Sequence, residues 1–256
     1  MKRKNIAVIT GASSGIGREF ARQIGEKYTK LDELWLLGRS EERLWELQAQ
    51  LSLPAQVFPM DLEAEESRSR FAGILAKENP CIRMLVNSAG FGKLGDFAST
   101  ACTEALGMIG LNCGALTYMT YSCLPYMPPK SRILEIGSAA AFTPQPGFAV
   151  YAATKAYVLS FSRALGRELK EREIGVTCVC PGPVDTAFFQ RAGENGRMAG
   201  LKRLSMAKPE DVVKKALADA ARRRDVSVYG LPMKGAQLLS KAVPHGFLLS
   251  AMGKLL

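Results

Sequence analysis

Residues 5–10 read Asn-Ile-Ala-Val-Ile-Thr, a short apolar run, and Gly11-Ala-Ser-Ser-Gly15-Ile-Gly17 follows it at once. Beyond the glycines, Phe20, Ala21 and Ile24 recur as the apolar face of a helix does. The segment is therefore a strand, a glycine turn and a helix. Gly11 permits the tight turn, Gly15 lets backbone approach a phosphate, and Gly17 lets the helix pack close to the strand. The first turn of the helix then offers free N–H groups to a pyrophosphate. Ser13, Ser14 and Ile16 stand in the same loop and share the expected contact. The spacing is GxxxGxG, and no lysine follows it, which argues against a P-loop.

The rest of the chain repeats the alternation. Strands are expected near 5–10, 34–38, 55–58, 83–87, 132–137, 175–180 and 226–229. Helices are expected near 15–27, 41–51, 63–78, 99–111, 112–127, 149–173 and 209–222. Strands apolar on both faces and separated by helices imply an α/β fold, a Rossmann-type doubly wound parallel sheet of about seven strands covered on both sides. The 256 residues suffice for one large core, so residues 1–256 are read as a single domain. The one long irregular stretch, 185–208, has the length of a lid or binding loop.

Composition narrows the class. Apolar residues make up 47% and charged residues 23%, as in a soluble globular protein. No run of about 18 apolar residues offers a membrane span. The basic start and first apolar run imitate a signal peptide, but Arg18 and Glu19 arrive too soon after them. Six cysteines stand at 81, 102, 113, 123, 178 and 180, none in CxxC spacing. With His245 the only histidine, a zinc site is not expected, and His245 is read as non-catalytic. Reduced, mostly buried thiols and a cytoplasmic location are the expectation.

The chemistry lies further along. Tyr151-Ala-Ala-Thr-Lys155 places a phenol and an ammonium one helical turn apart on one face, and Ser138 stands thirteen residues upstream. An ammonium beside a phenol favours the phenolate and brings a group with a free pKa of about 10 toward working range. Such a phenol can give a proton to a carbonyl oxygen or take one from an alcohol. Of the other tyrosines, Tyr118, Tyr121 and Tyr126 are read as packing residues on a helix.

Thr10–Gly17 (TGASSGIG), Asn87-Ser88-Ala89-Gly90, Ser138, Tyr151, Lys155 and Pro181-Gly182 together resemble the short-chain dehydrogenase/reductase family, in its single-domain subtype of about 250 residues. The motifs come in the family's order and spacing, from residue 5 to about 190. The resemblance implies that Ser138 donates a hydrogen bond to the substrate carbonyl, that Tyr151 donates the proton, and that Lys155 lowers the phenol's pKa and holds the nicotinamide ribose. It assigns Asn112 to a proton-relay water. It also implies that Asp61 and Leu62 meet the adenine, that Asn87, Ala89 and Gly90 border the cofactor, and that Pro181, Gly182, Val184 and Thr186 hold the nicotinamide carboxamide. Ser88 departs from the family's more frequent asparagine.

The second strand ends Leu36-Leu37-Gly38-Arg39-Ser40. Gly38 occupies the place where an NAD enzyme carries the carboxylate that holds the ribose hydroxyls. Arg39, with Ser40 and Arg43 nearby, can instead grip a 2′-phosphate. The reading is NADP(H), with a merely solvated turn arginine as its alternative. Ser14 stands where a second basic residue marks many NADP members of the family, so Arg39 carries the preference largely alone.

The net charge is +10, and from Gly200 onward eleven basic residues face four acidic ones. The run Arg222-Arg223-Arg224 suits a helix C-terminus, an anionic amphipathic substrate, or an anionic membrane surface. No recognition motif accompanies the charge, so nucleic acid is not an expected partner. The tail, 230–256, is apolar, and Pro244 divides it into two short helical pieces. It packs on its own domain or a dimer partner, roofs a bulky hydrophobic carbonyl or alcohol substrate together with the 185–208 loop, or makes a peripheral membrane contact. A homodimer or homotetramer is expected. The functional reading is an NADPH-dependent oxidoreductase acting on a steroid-like or fatty acyl carbonyl or secondary alcohol. The alternatives are an NAD-linked alcohol dehydrogenase and a catalytically silent dinucleotide sensor or scaffold.

Overall fold

A computed structural model describes residues 3–186, 188, 192, 206–243 and 246–247. Seven parallel strands form one sheet: β1 (Asn5–Thr10), β2 (Glu33–Gly38), β3 (Ala55–Pro59), β4 (Cys81–Asn87), β5 (Arg132–Ile136), β6 (Gly175–Val179) and β7 (Val226–Ser227). Their order is β3-β2-β1-β4-β5-β6-β7. The order reverses between β1 and β4, which opens a crevice at the carboxyl ends of those strands.

Alternation along each strand feeds two cores. Ala7 and Ile9 of β1 face α1 (Gly15–Lys27), α2 (Glu41–Gln50) and α7 (Pro209–Ala221), where they meet Phe20, Leu44 and Val213. Ile6 and Val8 point the other way, toward α3 (Glu65–Glu78), α5 (Leu116–Cys123) and α6 (Ala149–Glu168), and join Phe71, Met119 and Leu165. Burial on both faces explains why these strands read as continuous apolar runs.

Three expectations need correction. The helices expected at 99–111 and 112–127 are one rod: α4 (Cys102–Ile109) passes through a π turn, Gly110–Ala115, into α5 without leaving helical backbone angles. Tyr121 is not a packing residue; it lies on the outer side of α5 and is 78% exposed. The thiols are less buried than expected, for Cys123, Cys178 and Cys180 are buried, Cys81 and Cys113 partly so, and Cys102 is exposed. All six are unpaired.

The arginine run closes α7. Arg222 caps the helix, Arg223 turns the chain at φ 54°, and Arg224 pairs with Asp219 at 3.5 Å. A further helix, α8 (Leu231–Ala242), follows β7 and ends just before Pro244. Most of the 185–208 loop, His245 and the second half of the tail lie outside the described residues. Among the described residues, no helix is long and apolar enough to cross a membrane.

Candidate active site

The loops at the carboxyl end of the sheet enclose a cavity of about 870 Å³ over the β1/β4 reversal. One wall is the glycine turn. Gly11 sits at φ 67°, and a Cβ there would lie 2.8 Å from the Ala89 nitrogen. A Cβ on Gly17 would lie 2.3 Å from the Gly11 carbonyl oxygen, so glycine alone lets α1 start this close to β1. Ser14 is the N-cap of α1 but makes no side-chain cap bond, and the first turn carries no acid. The free N–H groups of that turn are left to serve an anion.

The rim beyond β2 holds Gly38 and the exposed Arg39. A Cβ at Gly38 would stand 3.1 Å from Ser13 Oγ, so an acidic side chain has little room here. Asp61 and Leu62 border the same end, with Asp61 Oδ1 accepting from the Glu63 nitrogen at 3.0 Å. Thr10 Oγ1 accepts from the Ser88 and Ala89 nitrogens, at 3.0 and 3.1 Å, and so fixes the turn after β4. Ser13, Ser14, Gly15, Ile16, Ala89, Gly90, Pro181, Gly182, Val184 and Thr186 complete the lining expected for a cofactor.

Ser138, Tyr151 and Lys155 also line the cavity. Ser138 follows β5, and its Oγ accepts from the Ala140 nitrogen at 3.1 Å. Tyr151 lies in the first turn of α6, stacked on Phe148 with ring centroids 4.2 Å apart and tilted against Phe188 at 5.5 Å. Lys155, one turn on, donates to the Ile136 carbonyl oxygen at 2.7 Å, and its Nζ stands 5.6 Å from the Tyr151 ring centroid.

The electrostatics differ from the expectation for an isolated ammonium–phenol pair. Burial pushes the Tyr151 phenol up to about 12, opposed by its hydrogen bond with Ser138. Burial pulls Lys155 down to about 8, opposed by the nearby Cys178, Cys113, Cys180 and Glu135. Desolvation is the largest cause at both groups here. The protein alone therefore presents a neutral phenol, the form that donates a proton, beside an ammonium held on the main chain.

Four expected residues stand behind the wall rather than on it. Gly17 packs α1 onto Gly11, as described above. Ser40 caps α2, its Oγ accepting from the Arg43 nitrogen at 3.5 Å. Asn87 is buried, and its Nδ2 donates to Thr120 Oγ1 at 2.9 Å and Glu135 Oε1 at 3.2 Å. Its side chain faces the sheet interior, so its part is to brace β4 against β5 and α5. Asn112 is buried in the π turn, where it exchanges hydrogen bonds with the Phe91 main chain and donates to Thr154 Oγ1 at 3.0 Å. It fixes the loop after Gly90 and the helix of Tyr151 relative to each other.

Sequence reading passed over the apolar walls. Phe91 and Leu94 come from the loop after β4, Phe142 and Phe148 from the loop between Ser138 and α6, and Met233 from α8. The only sequence signal of the four from loops is position, after the carboxyl end of a strand; Met233 lies on a helix.

Comparison with known proteins agrees with this geometry. Residues 5–196 match the short chain dehydrogenase family model. An uncharacterized oxidoreductase of Bacillus subtilis, DltE, is 34% identical over 190-odd residues, covering 73% of this chain and 75% of that protein. The structure is similar to a short-chain dehydrogenase from Sphingobium yanoikuyae in complex with NADPH, with TM-score 0.79, 28% identity and coverage of 94% and 96% of the two chains. It is also similar to the bulky-bulky ketone specific alcohol dehydrogenase from Comamonas testosteroni, with TM-score 0.73, 25% identity and coverage of 96% and 93%. Among the fold neighbours, complexes with NADPH and with NAD both occur. The chain belongs to the short-chain dehydrogenase family and is an oxidoreductase of that family.

Proposed function

We propose that this protein is an NADP(H)-dependent carbonyl reductase or alcohol dehydrogenase acting on a bulky, hydrophobic carbonyl or secondary alcohol. The observation that carries the reading is the convergence of Ser138, Tyr151 and Lys155 in one cavity that is also lined by a glycine cradle and by Phe91, Leu94, Phe142, Phe148 and Met233. The cradle fits a dinucleotide: close-packed glycines, an uncapped helix N-terminus, and Arg39 where a 2′-phosphate would lie.

When bound, the nicotinamide supplies the hydride. The chain supplies orientation and the proton. The Ser138 hydroxyl donates to the substrate oxygen and positions it between phenol and cofactor face. The buried Tyr151 phenol gives its proton to that oxygen as negative charge develops there. Lys155 stabilises the phenolate left behind, while its bond to Ile136 keeps the ammonium in place. Phe148 and Phe188 hold the phenol ring. The aromatic lining excludes water and favours an apolar substrate, the class named by the Comamonas neighbour.

Two further parts of the reading rest on features outside the cavity. The six unpaired cysteines support residence in the cytoplasm. Exposed Leu106, Ile109, Tyr121 and Tyr157 on α4, α5 and α6 support a homodimer or homotetramer.

The test is a screen of bulky ketones, β-keto thioesters and oxosteroids, with small polar ketones as controls, following nicotinamide absorbance with NADPH and with NADH. The reading predicts faster turnover of the bulky apolar ketones, with NADPH. Turnover with NADH alone would replace it by the NAD-linked reading. Turnover of small polar ketones alone would remove the substrate class.

A further inference from the structure

α8 has two unlike sides. Its inner side is engaged: Met233 reaches the cavity and packs at Gly182, and Gln237 and Ser240 are half-buried. Its outer side is apolar. Leu231 is 81% exposed, Leu238 67% and Leu239 53%. At 3.6 residues per turn, Leu231, Gly235, Leu238 and Ala242 fall on one line along the helix, with Leu239 beside it. Lys234 and Lys241, seven residues apart, share a second line on the flank of the first. Phe247, beyond Pro244, is 72% exposed.

The segment that carries this face has side-chain charge of one sign. From Val226 to Leu256 the chain carries three lysines and no aspartate or glutamate. An apolar line flanked by lysines and free of acid matches a lipid surface with anionic headgroups. The leucines enter the acyl boundary while Lys234, on the flank, reaches phosphates beside it. A second copy of the chain fits less well. In an antiparallel two-fold contact through α8 each lysine line would meet its like, with no carboxylate in the segment to neutralise it.

We propose that α8 is an interfacial helix that docks the protein on an anionic membrane surface through Leu231, Leu238 and Leu239, with Lys234 at the headgroups. This goes beyond the reductase reading and does not depend on it. Because the same helix sends Met233 into the cavity, docking places one wall of the site at the lipid boundary.

The experiment uses the full chain, co-sedimented with phosphatidylcholine vesicles and with phosphatidylcholine–phosphatidylglycerol vesicles at low and high salt. Two variants accompany it, Leu238→Glu with Leu239→Glu, and Lys234→Glu with Lys241→Glu. Thermal melting and solution mass are measured for all three proteins. The proposal predicts at least tenfold stronger partition onto the anionic vesicles, weakened by salt, and at least a tenfold loss in each variant. The lysine variant keeps every leucine in place and decides the matter if the leucine variant fails to fold. Equal binding to both vesicle types, no binding to either, or a leucine variant that falls from dimer to monomer while its vesicle binding stays unchanged would overturn it.

Discussion

Lys155 Nζ donates to the Ile136 carbonyl oxygen at 2.7 Å, and this bond ties the helix that carries Tyr151 to the strand end that carries Ser138. The phenol and hydroxyl belong to different elements, so their separation is set by how α6 docks on β5. The lysine therefore has two physical tasks, placing the pair and supplying charge beside it. Burial makes the second task pH-sensitive, because an ammonium taken out of water loses its proton more readily.

The pH dependence of reduction follows from that. Lys155 is pulled down to about 8 by burial, while Tyr151 is held up at about 12. The phenol keeps its proton throughout the neutral range, and the ammonium is lost as pH rises through about 8. The rate of ketone reduction at saturating cofactor should therefore be highest below that value and fall above it. A rate profile that stays flat well past this pH would contradict the assignment.

A stability prediction concerns Glu135, buried on β5. Burial pushes its carboxyl up to about 7, against hydrogen bonds from Thr120 and Asn87 and the charge of Lys155. Among the described residues, its Oε2 has no hydrogen-bond partner, nor has Asn87 Oδ1. Between its ordinary value of 4.5 and about 7, the folded protein keeps a proton that the unfolded chain has released. Stability from this group is full below that window, falls as pH rises through it, and stays lower above. Glu135→Gln removes the charge and should raise the melting temperature at pH near 8, by up to about 3 kcal/mol of stability, with little change near pH 4.5. Thermal melts of both proteins at the two pH values decide it; an equal shift at both would show that charge is not the cause.

Arg39 should set cofactor choice. It stands exposed at the rim, next to Gly38, a glycine where an NAD enzyme carries a carboxylate that would repel a 2′-phosphate. Arg39→Ala should weaken NADPH binding about ten- to a hundredfold, a charge-assisted hydrogen bond being worth roughly 1.5–3 kcal/mol, and leave NADH binding nearly unchanged. Titration of both cofactors into both proteins checks this. Equal affinities in the wild type would refute the preference.

Much of this was legible in sequence, for particular reasons. The strands are apolar on both faces and end at glycines, so their limits fell within a few residues of those observed, with β7 shorter than expected. Gly11 and Gly17 announced the cradle because no other residue fits their geometry. The α4–α5 rod was not legible, since a π turn needs no particular residue type. Asn87 was misplaced because a position next to a site says nothing about which face of the strand a side chain takes, and Glu135 and Thr120 lie on the other face. The aromatic walls come from loops with no periodicity, and Met233 reaches the cavity only through the docking of α8.

The central claim is that the Tyr151 phenol gives the proton. The most direct measurement is the turnover of Tyr151→Phe on the best ketone found, beside its NADPH affinity by titration. A phenylalanine keeps the stack on Phe148 and deletes only the acid. The account predicts a loss on the order of 10²–10⁴-fold in kcat with cofactor affinity close to the wild type. Retention of half or more of the wild-type kcat, in a variant that binds cofactor normally, would contradict it.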